Sequence, residues 1–244
     1  VSESHLGLPA DIRACLFDLD GVLTSTASVH AAAWKEAFDE FLHEHDASAA
    51  PFDIDRDYPA YVDGKPRRDG VRDFLASRGI ELPEGADDDA PDAHTVSGIG
   101  NRKQGLLLEV VKRDGVQPYP GAVRFLEAAR DAGLRRAVVS SSENCQAFVE
   151  AAGIEDLLEV RVDGVSVREQ GLHGKPAPDT FLAAAQELGV PAAQAAVFED
   201  ALAGVEAGRA GHFGFVVGVD RAHQADALKE HGASVVVNDI GDLL

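Results

Sequence analysis

The sequence predicts an α/β protein: a Rossmann-like, mostly parallel sheet core with an inserted all-helical cap domain. Three observations predict it. A short apolar run, Ile12 to Phe17, stops at two acids and a glycine, as a buried strand does when it ends in a functional loop. From Val116 onward, apolar runs alternate with amphipathic stretches, the pattern of a parallel sheet covered by helices on both faces. The intervening stretch has helical periodicity and no convincing strand. The expected domains are therefore a core from residues 1–24 and 117–244, and a helical cap at 25–116 that leaves from the loop after the first strand.

In the cap, Ala32, Trp34, Ala37, Phe38, Phe41 and Leu42 recur at helical spacing within Ser28 to His45. Two further helices are expected over Asp69 to Ile80 and Arg102 to Gly115, each closing near a glycine. The core resumes with a helix from Gly121 and a strand over Leu134 to Ser140. A helix follows Ser142, a plausible N-cap. Leu158 to Gly164 reads as a short strand or irregular stretch. A helix with Pro178 near its start leads to a strand at Gln194 to Asp200 and a helix from Ala201. The last strands are Phe213 to Val219 and Ala233 to Asp239, separated by a helix from about Ala222 to His231.

Composition narrows the function classes. The 244 residues suffice for one α/β domain and a smaller insertion, and an apolar fraction of 45% is ordinary for a soluble protein. No apolar run reaches bilayer length, and no basic stretch followed by an apolar one marks an export signal. Forty-two acidic residues against 22 basic ones give a net charge of -20, which argues against nucleic acid or an anionic membrane as partner. A phosphorylated small molecule stays open, because a few focused cations and a metal make a local anion site. Cys15 and Cys145 lie in apolar stretches and read as buried thiols in a reducing cytoplasm. The acidic run Glu84 to Asp92 lacks calcium-loop spacing and contains a proline, so it reads as a solvated, disordered-looking loop.

Open α/β sheets bind ligands beyond the carboxyl ends of their strands. The polar residues expected there are Asp18 and Asp20, Ser140, and Glu199 and Asp200, joined by Lys175 from a loop before a helix. Each has a plainer reading alone: a tight turn, a cap residue, a surface charge. Together, four carboxylates would repel one another without a cation, and Mg2+ is the natural hard partner for oxygen ligands. A carboxylate beside a bound phosphate can attack phosphorus, and a second acid two residues on can manage the leaving-group proton. Lys175 and Ser140 would then offset charge on the transferring group. No Gly-x-x-x-x-Gly-Lys-Ser/Thr loop, zinc pattern or nucleophilic triad is visible.

The stretches DLDGVLT (Asp18 to Thr24), VVSSS (Val138 to Ser142), GKPAPDTF (Gly174 to Phe181) and FEDALAG (Phe198 to Gly204) resemble the four motifs of the haloacid dehalogenase superfamily, in its β-phosphoglucomutase-like branch. The resemblance covers nearly the whole chain. It implies that Asp18 is the phosphorylated nucleophile and Asp20 the general acid-base. Ser140 and Lys175 would hold the transferring phosphate, and Asp18, the Asp20 carbonyl and Asp200 would bind Mg2+, with Glu199 as a further ligand or outer partner. In the cap, Thr26, His30 and Trp34 match the hinge and first helix. Arg67, at the end of YVDGKPR, matches an arginine for the non-transferring phosphate, and Lys103 matches a lysine facing the active site. Ser142 and Asn144 match residues gripping the distal phosphate, but Glu143 stands where the family's mutases have a lysine. Lys65, Arg67 and Arg68 are possible compensating charges. The implied activity is interconversion of β-glucose 1-phosphate and glucose 6-phosphate by a monomer. The alternative is a phosphatase for a sugar phosphate or similar ester.

Overall fold

A computed structural model describes residues 6–244. The described chain forms two compact units, one of residues 6–25 with 116–244 and the other of residues 26–115.

The first unit is built on six strands: β1 (Ala14–Phe17), β2 (Arg135–Val139), β3 (Val160–Val162), β4 (Ala195–Glu199), β5 (Phe215–Val219) and β6 (Val235–Val237). All pairs are parallel, in the order β3-β2-β1-β4-β5-β6. The fold expected from the sequence is therefore the one found. Every residue of β1 is buried, as a central parallel strand with both faces covered requires. Its side chains alternate between two cores. Ala14 and Leu16 pack with Phe181, Leu188 and Val205. Phe17 turns the other way, stacking 4.6 Å from Phe198 and meeting Phe125 edge-on at 6.0 Å. Phe125 sits on helix α4 (Pro120–Asp131), Phe181 and Leu188 on α7 (Asp179–Leu188), and Val205 on α8 (Leu202–Ala210). Helices α5 (Cys145–Ala151), α6 (Gly164–Gln170) and α9 (Ala225–His231) belong to the same unit.

The second unit holds α1 (Ala27–His45), a π-helical turn at Tyr58–Val62, α2 (Arg67–Ser77) and α3 (Val96–Asp114), with no strand among its residues. The helical spacing in α1 becomes its core: Trp34 stacks on Phe38 at 5.0 Å, and Phe38 meets Phe52 at 5.1 Å and Phe74 at 4.3 Å. Val62, Val71, Val96 and Ile99 close the cluster.

Several local expectations are corrected. Helix α3 starts at Val96, not Arg102: Thr95 caps it by accepting from the Gly98 N–H at 2.9 Å. Ser142 does not cap α5. Asn144 holds the cap position, and Ser142 Oγ accepts from its N–H at 3.2 Å. Gly164–Gln170 is helical, opened by a capping box in which Asp163 accepts from Val165 and Ser166. The acidic run is exposed but tied down. Arg72 grips Glu84 through two nitrogens at 2.7 and 2.8 Å, Arg68 pairs with Asp87, and Asn101 donates to the Asp87 and Asp89 carbonyls. Both cysteines are free and buried, and burial pushes both thiols up. No helix among the described residues is long and apolar enough to cross a membrane.

Candidate active site

The parallel register gathers the site. Phe17 is level with Val138 on one side and Phe198 on the other, so the next residues, Asp18, Val139 and Glu199, form a row across the strand ends. Lys175 docks on that row. Its Nζ donates to Asp18 Oδ1 at 2.5 Å and to the Val139 carbonyl at 3.0 Å, and lies 2.6 Å from Glu199 Oε1. The ammonium thus faces two carboxylates and a carbonyl, and the aliphatic stem is sealed: the side chain is 0% exposed and Nζ sits 4.9 Å from the Phe181 ring centroid.

Burial opposes the charge on Lys175, but Asp18 and Glu199 outweigh it and hold the ammonium protonated beyond an ordinary lysine. Burial also pushes Asp18 well above the usual carboxylate range; Lys175 opposes this, while Glu199 and Asp20 add to it. The site therefore carries more buried carboxylate than cation.

Glu199 is held on both oxygens. Oε2 accepts the Ala201 N–H at 3.0 Å while Oε1 faces Lys175. Gly204, in the first turn of α8, makes room for it: a Cβ there would fall 1.8 Å from Oε1. Asp200 follows and is buried, and oxygens of Asp18, Glu199 and Asp200 lie within 4.8 Å of one another.

Asp18 to Thr24 is a tight loop. The Asp18 N–H donates to the Phe198 carbonyl at 2.9 Å, the Gly21 N–H to the Thr24 carbonyl at 2.8 Å and the Thr24 N–H to the Leu19 carbonyl at 2.9 Å. Leu19, Val22 and Leu23 are buried and anchor it, leaving Asp20 half-buried. Gly21 has φ +87, and a Cβ on it would fall 1.8 Å from Asp200 Oδ2, so only glycine lets the two acidic arms approach this closely. Ser140, one residue past β2, is fixed by its N–H to the Val162 carbonyl at 3.0 Å, and its hydroxyl accepts from the Ser142 N–H at 3.1 Å.

Within the second unit, α1 and α3 bring Lys103 to His30. Nζ lies 3.0 Å from Nδ1, within hydrogen-bonding distance. Lys103 is 4% exposed, and its Nζ also lies 5.1 Å from the Trp34 ring centroid. Thr26 is buried at the start of α1, its carbonyl accepting from the His30 N–H at 2.9 Å. Arg67 opens α2 and donates to Gln104 at 2.9 Å; Gly100 lets it lie against α3, where a Cβ would approach Arg67 Cγ to 3.3 Å. Lys65 and Arg68, the other possible compensating charges, pair with Asp73 and Asp87. Glu143 pairs with Arg168 of α6. Sequence reasoning missed Gln104, Gly100 and Arg168. The two-glycine opening of α3 and the Asp163–Ser166 box before Arg168 were the available signals.

A buried acid row capped by one lysine at the carboxyl ends of parallel strands belongs to a phosphoryl-transfer enzyme. Residues 12–212 match the haloacid dehalogenase-like hydrolases. A protein named β-phosphoglucomutase from Mycobacterium bovis is 54% identical over 251 positions, covering 100% of this chain and 96% of that one. Another of that name from Bacillus subtilis is 30% identical, covering 95% and 92%. A solved β-phosphoglucomutase structure from Clostridium difficile superimposes with a TM-score of 0.76 over 96% of this chain and 93% of that one, at 23% identity. The chain belongs to the haloacid dehalogenase-like hydrolase family, in its β-phosphoglucomutase-like branch.

Proposed function

We propose that the protein interconverts β-glucose 1-phosphate and glucose 6-phosphate by Mg2+-dependent phosphoryl transfer through Asp18. The observation that carries the reading is the Lys175 contact with Asp18 and Glu199, which fixes one carboxylate oxygen and leaves the other for attack. The 54% identity to a protein named β-phosphoglucomutase supports the choice of substrate.

The acid row fits a divalent cation. Its donors are hard oxygens and they converge, with three buried carboxylates gathered around a single ammonium. Asp18, the Asp20 carbonyl and Asp200 are assigned as its ligands. Glu199, with both oxygens engaged by Lys175 and Ala201, is assigned instead as the anchor of the lysine. The ion supplies charge neutralisation between the carboxylates and the phosphate oxygens.

The chain's own residues do the rest. An Asp18 carboxylate oxygen attacks phosphorus; the P–O bond to the sugar breaks, and Asp20 gives its proton to the departing oxygen. The 6-hydroxyl of β-glucose 1-phosphate then returns its proton to Asp20 as it takes the phosphoryl group from Asp18, and the resulting bisphosphate reloads Asp18 from its other phosphate. Lys175 and Ser140 offset charge on the transferring group. Thr26, His30, Arg67 and Lys103 are assigned to the hinge and to substrate recognition, and Ser142 and Asn144 to the distal phosphate.

Glu143 favours the second reading, a sugar-phosphate phosphatase, because it sets a negative charge beside Ser142. Its pairing with Arg168 offsets that charge, which keeps the mutase reading first.

Phosphorus NMR of β-glucose 1-phosphate with Mg2+ and a trace of glucose 1,6-bisphosphate tests the proposal. Glucose 6-phosphate without comparable free phosphate is expected. Free phosphate as the main product establishes the phosphatase, and no change in either signal removes this substrate.

A further inference from the structure

The acidic arms are gripped from behind by a loop that carries no acid of the row. Residues 220–224 follow β5 and are anchored to β6: the Asp220 N–H donates to the Val237 carbonyl at 2.8 Å. Asp220 Oδ1 accepts the Gln224 N–H at 2.8 Å and closes the loop on itself. Two side chains leave it toward the site. Arg221 Nε donates to the Gly21 carbonyl at 2.7 Å, next to Asp20 in sequence, and Gln224 Nε2 donates to the Asp200 carbonyl at 3.1 Å.

Arg221 is itself held on its remaining sides. Nη1 donates to the Asn238 carbonyl at 2.9 Å, Nη2 lies 3.4 Å from Asp239, and the guanidinium carbon lies 3.8 Å from the Tyr119 ring centroid. Tyr119 is tied in turn to the first loop, its N–H donating to the Leu23 carbonyl at 2.9 Å. A planar group with several donors satisfies these contacts together; a lysine ammonium would keep the charge and lose the stack and most of the bonds.

We propose that Arg221 and Gln224 are positioning residues that set the distance between the Asp18–Asp20 arm and the Asp200 arm, and thereby the affinity of the site for a divalent cation. One clamp holds one carbonyl on each arm, and the arms meet at Gly21 and Asp200 without space for a methyl group. Loss of either grip lets the arms part. The inference rests on reading the acid row as a cation site. Coulomb's law alone predicts the opposite sign for Arg221: removing a positive charge near the acids should tighten a cation. Gln224 carries no charge and is free of that ambiguity.

The test is Mn2+ affinity of the metal-stripped full chain, by electron paramagnetic resonance titration, for wild type, Arg221→Ala, Arg221→Lys and Gln224→Ala, with thermal unfolding of each metal-free protein alongside. Displacing a supporting contact of this kind weakens metal binding about tenfold or more, so Kd should rise by that factor in Arg221→Ala, less in Arg221→Lys, and severalfold in Gln224→Ala. Should Arg221→Ala fail to fold, Gln224→Ala carries the test. Unchanged or tighter Mn2+ binding in the folded variants, with wild type binding well, overturns the inference alone. Absence of Mn2+ binding to wild type overturns the cation reading and the inference with it.

Discussion

Replacing Lys175 by methionine keeps the side-chain length and removes the charge. In the native protein this ammonium is 0% exposed, as is the Glu199 side chain, while Asp18 is 9% exposed. The substitution strands both carboxylates and leaves the Val139 carbonyl without that donor. Breaking a buried ion pair by deleting one partner costs about 3–5 kcal/mol, and the two-acceptor arrangement places this case at the upper end. For a chain of this size that corresponds to a fall of about 10 °C or more in melting temperature. The assay is urea unfolding in EDTA, which keeps adventitious metal from substituting for the lost charge. Adding Glu199→Gln to Lys175→Met should restore about 1–2 kcal/mol, because one of the stranded charges is then gone. A loss below about 1 kcal/mol in Lys175→Met, or no recovery in the double variant, would refute the account of Lys175 as counter-ion to both acids.

Two further outcomes are expected. Arg67→Ala should lower kcat/KM for a sugar phosphate at least about tenfold while sparing a small generic phosphate ester, since an arginine fork contributes only where a second anionic group is present; equal losses on both substrates would remove Arg67 from recognition. Asp57, 3% exposed, is held down to about 2 by its hydrogen bonds from Arg56, against burial, with the Asp53 N–H and Arg78 helping. A depressed carboxyl stabilises the fold above its unfolded value of 3.8 and loses that contribution as pH falls toward 2. The stability gap between wild type and Asp57→Asn should therefore reach at most about 2.5 kcal/mol at neutral pH and close between those two pH values; a gap constant through that window would contradict the assignment.

The strand ends were legible because burial is abrupt. An apolar run that stops at Asp18, or at Glu199 and Asp200, marks where a parallel sheet gives way to polar loop, and parallel register then aligns those stops. The row formed by Asp18, Val139 and Glu199 depends on that alignment, which no single segment displays. The first turns of α3 were illegible because Ser97, Gly98 and Gly100 are poor helix formers; tertiary approach, as of Arg67 to Gly100, outweighs propensity there. Helix α6 escaped notice because none of its residues is buried, so it has no apolar stripe, only its cap. Arg221 and Gln224 escaped because their work is done on backbone carbonyls far away in sequence, and a carbonyl leaves no trace in composition.

The place of β1 has a consequence for the order of synthesis. This strand leaves the ribosome before the rest of its sheet, yet its neighbours are β2 and β4, and β4 begins only at Ala195. The nascent chain must keep a four-residue, wholly apolar segment unpaired until some 120 later residues have brought β2, and paired on one edge alone until some 180 have brought β4, about ten seconds or more at ordinary elongation rates. Residues 26–115 emerge in that interval as one contiguous stretch with its own aromatic core, so that unit is free to fold first. The half-made protein is thus a folded helical unit trailing a bare strand, and that strand is where dependence on chaperones should concentrate.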